Sequence, residues 1–167
     1  MKIQTILIAV LLLGLWAGCS KNNHLLPPPS VSSSSDLMCK RFYPLKSGDP
    51  GPDQSCIRWV YDRDASILTL THYNAGFNCC PEAIQVDLEV KGDSLLISED
   101  DSLELCRCLC LYDVDIVIRD LPSDLYYLRI KEPCVTDSHP FITCTLDLSG
   151  KSSGQYCLKR TYYPWGE

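Results

Sequence analysis

Alternation of apolar and polar residues organises most of the chain. In "AIQVDLEV", Ile84, Val86, Leu88 and Val90 share one phase while Gln85, Asp87 and Glu89 share the other. This is the period-two pattern of a strand with one face on a core. Gly92-Asp93 then marks a turn, and Leu95-Leu96-Ile97 begins a return strand. The same pattern recurs in Val114, Ile116 and Ile118 and, after Pro122-Ser123-Asp124, in Tyr126, Leu128 and Ile130. "CIRWVYD" (Cys56–Asp62) and "SILTLTHYN" (Ser66–Asn74) are β-rich runs at hairpin spacing, parted by Arg63-Asp64-Ala65. "FITCTLDL" and "QYCLKRTYY" add two strands, expected to join across Ser149–Gly154 as a hairpin loop. About eight short strands with turns every 8–12 residues predict an all-β domain, an antiparallel β-sandwich.

One segment reads two ways. Ser98 followed by Glu99-Asp100-Asp101 has the N-cap and acidic first turn of a helix running into "SLELCRC". The alternation instead continues through Tyr112, Val114 and Ile116, which favours a strand. A strand from Glu104 to Ile118 greatly exceeds the usual 5–6 residues, so a bulge or break is expected near Asp113.

The N-terminus has a different pattern. Lys2 precedes an apolar run from Ile6 to Leu15 that continues through Trp16-Ala17-Gly18. The run is shorter than the roughly 20 residues of a permanent span and has the size of a secretory h-region. "LWAGCS" resembles the lipobox of bacterial lipoproteins, with Trp16 at a position usually held by an aliphatic residue. The resemblance implies that residues 1–18 are a cleaved signal peptide and that Cys19 becomes the lipid-modified first residue, carrying palmitate-type acyl chains. Ser20 rather than Asp after that cysteine implies, by the same resemblance to Gram-negative lipoproteins, the outer membrane over the inner. The stretch Ser20–Asp36 is rich in Ser, Pro and Asn without apolar periodicity, so residues 19–37 are expected to form a lipidated, solvated tether reaching about 20–25 Å. His24 lies in it as a solvated residue. Residues 38–167 then form the β domain, long enough to bury a core.

Charge narrows the partners. The formal net charge is −6, with no basic run, which argues against nucleic acid and against docking on anionic headgroups. Contact with a membrane is expected through the N-terminal lipid alone.

Eleven cysteines occur. With Cys19 assigned to lipid, there remain Cys39, Cys56, Cys79, Cys80, Cys106, Cys108, Cys110, Cys134, Cys144 and Cys157. Outside the reducing cytosol such density marks a disulfide framework. On a strand, Cys106, Cys108 and Cys110 would line one face about 6.6–6.8 Å apart per step, with parallel Cβ vectors. They are expected to bridge to other strands, with Cys79 and Cys80 as natural partners because Pro81 interrupts the strand. The alternative is a zinc or copper site built from His72, Cys79, Cys80, Cys106, Cys108 and Cys110. Cys106 and Cys110 would stand about 13 Å apart on a straight strand, whereas two thiolates on one zinc are at most about 4.6 Å apart, so all three cannot serve one ion there.

Three resemblances bear on function. "I-x-x-L-P-x-x-x-Y-x-L-x-I" over Ile118–Ile130 is similar to strand pairs of exported immunoglobulin-like sandwiches. "HYNAGFNCCPE" with "CRCLCLYDVDIVIRDL" and "YYLRI" resembles a group of uncharacterised small exported lipoproteins of Gram-negative bacteria, from which no activity transfers. "GKSSG" (Gly150–Gly154) matches G-x-S-x-G around Ser152 by letter but lacks the strand–turn–helix context of a nucleophile elbow. Asp113 and Asp115 share a strand face, as a cation or sugar site would need, and as a solvated face also would. His139 sits before Pro140 in a loop. None of these makes a case for an enzyme. The expected function is a membrane-anchored envelope lipoprotein with a disulfide-stapled binding or structural module, its ligand a protein or glycan, with a metal-binding exported protein as the alternative.

Overall fold

The computed structural model describes residues 27–40, 47–101, 106–136 and 138–166. The leader, Cys19 and His24 lie outside them. The described residues form nine strands and no α-helix. They are β1 (Ser30–Ser34), β2 (Gln54–Asp62), β3 (Ile67–Asn78), β4 (Ile84–Lys91), β5 (Ser94–Asp101), β6 (Leu109–Arg119), β7 (Leu125–Lys131), β8 (Ile142–Asp147) and β9 (Ser153–Lys159). A five-stranded sheet has the order β1-β6-β3-β2-β9 and a four-stranded sheet the order β4-β5-β7-β8.

Every pairing is antiparallel except β5 with β7. That exception follows from the path of the chain. β6 leaves for the other sheet, so β7 returns to the four-stranded sheet running in the direction of β5. Between the sheets lie Ile57, Trp59, Tyr61, Leu68, Leu70, Leu95, Ile97, Ile116, Ile118, Leu128, Ile130 and Leu146, all buried. These are the inward phases of the alternating runs, and their burial is the main force holding the sheets together.

Three details depart from the reading of the sequence. First, Ser30–Ser34 lies inside the stretch expected to be tether, yet it pairs with β6 from Ser30↔Arg119 to Ser34↔Asp115. The unpaired backbone groups at the edge of β6 accept any extended partner, so side-chain pattern carries no signal of it. Second, β6 starts only at Leu109, so Cys106 and Cys108 lie off the strand and the helix over this region does not form between Ser98 and Asp101. β6 then runs unbroken through Asp113, and the irregularity falls on its partner. The register slips between His72↔Val114 and Ala75↔Tyr112, leaving Tyr73-Asn74 as a bulge in β3. Asn74 takes the left-handed conformation there (φ 56°), its amide nitrogen donating to the carbonyls of Gly51 and Gln54 at 2.9 and 2.7 Å. The extra residue resets the phase, so the core receives Leu68 and Leu70 before the bulge and Ala75 and Phe77 after it. Third, Ser149–Gly154 is a crossover between sheets and not a hairpin, because β8 and β9 lie in different sheets. Arg63 donates to the Ser149 carbonyl at 2.7 Å, and Tyr61 N–H to that of Ser152 at 2.7 Å, to hold it.

A second, smaller cluster of Leu111, Val135 and Trp165 covers the outer face of the five-stranded sheet. Trp165 Nε1 donates to the Asn74 carbonyl at 2.7 Å. Its ring occupies the space above Gly76, where an added Cβ would stand 2.6 Å from it.

Candidate functional site

Two side-chain clusters stand apart from the apolar core. The first is a sulfur-rich corner. Cys79 and Cys80 follow β3, and Cys106 and Cys108 precede β6. The chain joins them as Cys79–Cys108 and Cys80–Cys106, with Cα separations of 5.4 and 6.0 Å. Cys79 N–H donates to the Cys108 carbonyl at 3.0 Å, and Asn78 Nδ2 to that of Cys106 at 2.6 Å, so backbone and sulfur hold the same corner. The sulfurs of Cys79, Cys106 and Cys108 lie within 4.8 Å of one another. A cleft of about 420 Å³ opens beside them, lined by Asp101, Arg107, Cys134 and Tyr163 among others.

Two more bridges complete the framework among the described residues. Cys39–Cys110 ties the segment after β1 to β6, and Cys56–Cys157 joins directly paired residues of β2 and β9. The three cysteines of the alternating run thus reach three different partners, Cys110 from β6 and Cys106 and Cys108 from the segment before it. Cys134 and Cys144 lie outside the four bridges. Burial pushes the Cys144 thiol up to about 11.

The second cluster is polar and buried between the sheets. Ser55 and His72 are fully buried, Glu99 is 4% exposed, Glu132 2% and Arg160 1%. His72 Nδ1 lies 2.9 Å from both oxygens of Glu99, and Ser55 Oγ lies 2.9 Å from His72 Nε2. Glu132 accepts from Gly76 N–H at 3.0 Å and from Arg160 Nη2 at 2.8 Å. Arg160 also donates to the Pro140 carbonyl and lies over the Trp165 ring at 5.0 Å, while its Nε has no acceptor among the described residues. Burial alone would lower the pKa of His72. The charges of Glu99 and Glu132, with the hydrogen bond that Glu99 accepts, outweigh it and raise the value. Burial raises that of Glu132, against the opposing pull of His72, Gly76 N–H and Arg160.

Hydroxyl, imidazole and carboxylate are here in the order of a hydrolase relay. With Ser55 fully buried, no substrate carbonyl reaches its Oγ, and the chain of bonds orients His72 instead.

The structure separates the residues proposed together as metal ligands. His72 groups with Glu99 and Glu132; Cys79, Cys106 and Cys108 group with one another; Cys110 is joined to Cys39. Asp113 accepts from Asn74 N–H at 3.1 Å and pairs with Lys40, while Asp115 accepts from the Thr71 hydroxyl at 2.7 Å. His139 stacks on Tyr162 with centroids 3.7 Å apart.

Glu99, Glu132, Ser55 and Arg160 were not picked out from sequence, yet a signal for them exists. Each continues an inward phase: Ser55 with Ile57, Trp59 and Tyr61; Glu99 with Leu95 and Ile97; Glu132 with Leu128 and Ile130; Arg160 with Tyr156 and Leu158. His72 does the same with Leu68 and Leu70. A charged or polar residue on an apolar phase demands a partner, and five such phases end at one place.

Compared with known proteins, the chain matches no family model, no curated protein sequence and no solved structure.

Proposed function

We propose that this chain is an exported, lipid-anchored protein of the bacterial envelope whose disulfide-stapled β-sandwich serves as a binding or structural module. The observation that carries the reading is the set of four disulfides, two of them side by side, in a domain with its own buried core. Such a framework belongs to oxidising surroundings outside the cytosol. The lipobox-like "LWAGCS" supplies the anchor, with Cys19 as the acylated residue, and Ser20 after it favours the outer membrane over the inner. The ligand class is protein or glycan.

The test has two parts. Natively exported protein should gain the mass of eight hydrogens when its bridges are reduced, and Cys19→Ser should move from the membrane to the soluble fraction. Undiminished membrane association of that variant removes the anchor, and an unchanged mass on reduction removes the framework.

A second reading draws on the three sulfurs within 4.8 Å. When the corner is reduced, Cys79, Cys80, Cys106 and Cys108 offer four thiolates to zinc or copper(I). Thiol titration with metal analysis separates the readings: four thiols and one metal at this corner in natively exported protein support the second and remove the first in its present form.

A further inference from the structure

The buried polar cluster has the composition and spacing of a metal centre that uses no sulfur. One nitrogen of His72 and one oxygen each of Glu99 and Glu132 lie within 4.8 Å of one another. Nitrogen and oxygen donors at about 2.0–2.2 Å from one zinc-class ion stand roughly 3.3 Å apart in a tetrahedral set and at most about 4.4 Å apart. His72 Nδ1 and the Glu99 oxygens, at 2.9 Å, need to open by only a few tenths of an ångström. We propose that the oxidised domain binds one divalent cation of the zinc class through His72 Nδ1, Glu99 and Glu132.

Three observations support the assignment. Ser55 holds His72 Nε2, which leaves Nδ1 as the nitrogen turned to the carboxylates. An outer partner on the second ring nitrogen is what metal-bound histidines require. Glu132 is likewise held from behind, by Gly76 N–H and Arg160, and each of its oxygens keeps a further lone pair. Gly76 lies just past the β3 bulge, paired with Leu111, and its N–H meets Glu132. Third, a cleft of about 300 Å³ lies beside the cluster, lined by Glu99 and Glu132 with Asp87, Asp100, Ser98 and Lys131, and its acidic rim favours a cation at this end of the sandwich.

The ion takes the place of the proton between His72 Nδ1 and Glu99. That proton leaves to solvent, a coordinate bond forms at Nδ1, and two carboxylate charges balance the two charges of the cation. Arg160 stays hydrogen-bonded behind Glu132, so the loaded cluster carries one net positive charge. One nitrogen and two carboxylates suit zinc and other borderline divalent ions rather than copper(I). No residue is shared with the sulfur corner, so the site operates with all four bridges closed.

The experiment uses natively exported protein with thiols blocked under non-reducing conditions, stripped with chelator and titrated with zinc chloride. One zinc per chain should be retained through gel filtration. Glu132→Gln and His72→Gln should each weaken binding by about 100-fold, and Ser55→Ala by about 10-fold. Cobalt(II) in place of zinc should give visible bands without the near-ultraviolet charge transfer of a thiolate ligand. Absence of retained zinc, binding undiminished in both glutamine variants, or a thiolate band overturns the assignment. Should the variants fail to fold, stoichiometry and the cobalt spectrum of the parent protein decide it. None of these results alters the disulfide count on which the proposed function rests.

Discussion

Arg160 and Glu132 face each other across 2.8 Å with side chains only 1% exposed, a geometry in which the partners' fates are bound together. Arg160→Met removes the cation and leaves the Glu132 carboxylate with Gly76 N–H as its remaining hydrogen-bond donor. Breaking a buried pair from one side costs about 3–5 kcal/mol, because the surviving charge remains desolvated. Glu132→Gln strands the guanidinium instead. It keeps an acceptor for Gly76, so its cost belongs at the lower end, about 3 kcal/mol. With both charges removed nothing is stranded, and the double variant should cost about 2 kcal/mol or more less than the sum of the singles. Against a typical net stability of about 5–15 kcal/mol, each single change consumes a large share. The assay is equilibrium urea unfolding under non-reducing conditions with chelator present. At an m-value of about 2 kcal/mol/M, a single change should lower the midpoint by about 2 M. Additive single effects, or singles costing under about 1 kcal/mol, would refute the claim that this contact is a desolvated ion pair.

Three further outcomes follow from single contacts. Gly154→Ala places a methyl group inside the indole of Trp59, which is directly opposite it on β2; a loss of about 1–3 kcal/mol with a shift in tryptophan emission is expected, and parental stability speaks against the packing. Cys144, its thiol pushed up to about 11 by burial, should react with iodoacetamide at pH 8 about 20-fold more slowly than an ordinary thiol, after its higher nucleophilicity offsets part of the smaller thiolate fraction. Denaturant should restore the ordinary rate, and a native rate equal to that of free cysteine contradicts the burial. Tyr61→Phe deletes the buried bond from its hydroxyl to the Leu121 carbonyl at 2.8 Å; thermal unfolding should report a loss of about 1–2 kcal/mol, and an unchanged midpoint means that carbonyl needs no partner.

Legibility followed range. Strands such as β4, β5 and β7 were readable because a half-buried strand writes its own period into the sequence. Which sheet a strand joins is not a local property, and so the step from β8 to β9 read as a hairpin although it crosses the sandwich. β1 was unreadable for a different reason: Ser30–Ser34 is held by backbone bonds to β6, which leave no mark on side-chain choice. Among the cysteines, the expectation that Cys106, Cys108 and Cys110 bridge elsewhere placed all three on one strand, which holds for Cys110 alone, while the identity of Cys39 for Cys110 depends on how residues 71 positions apart are brought together. The buried cluster was legible in principle. Its members break the apolar phase one at a time, and only the fold shows that the breaks coincide.

The position of Cys39 has a mechanical consequence. Tension arriving along the N-terminal chain first meets the five-residue strand Ser30–Ser34 at the edge of β6, whose hydrogen bonds can yield. Behind it stands the covalent link of Cys39 to Cys110, seated in the core. Detachment of that strand pays out about 30 Å of slack, the extended length of residues 30–38, and then stops. Further load enters β6 at Cys110, inside the five-stranded sheet, so a pull on this end first lengthens the N-terminal segment and only then bears on the core.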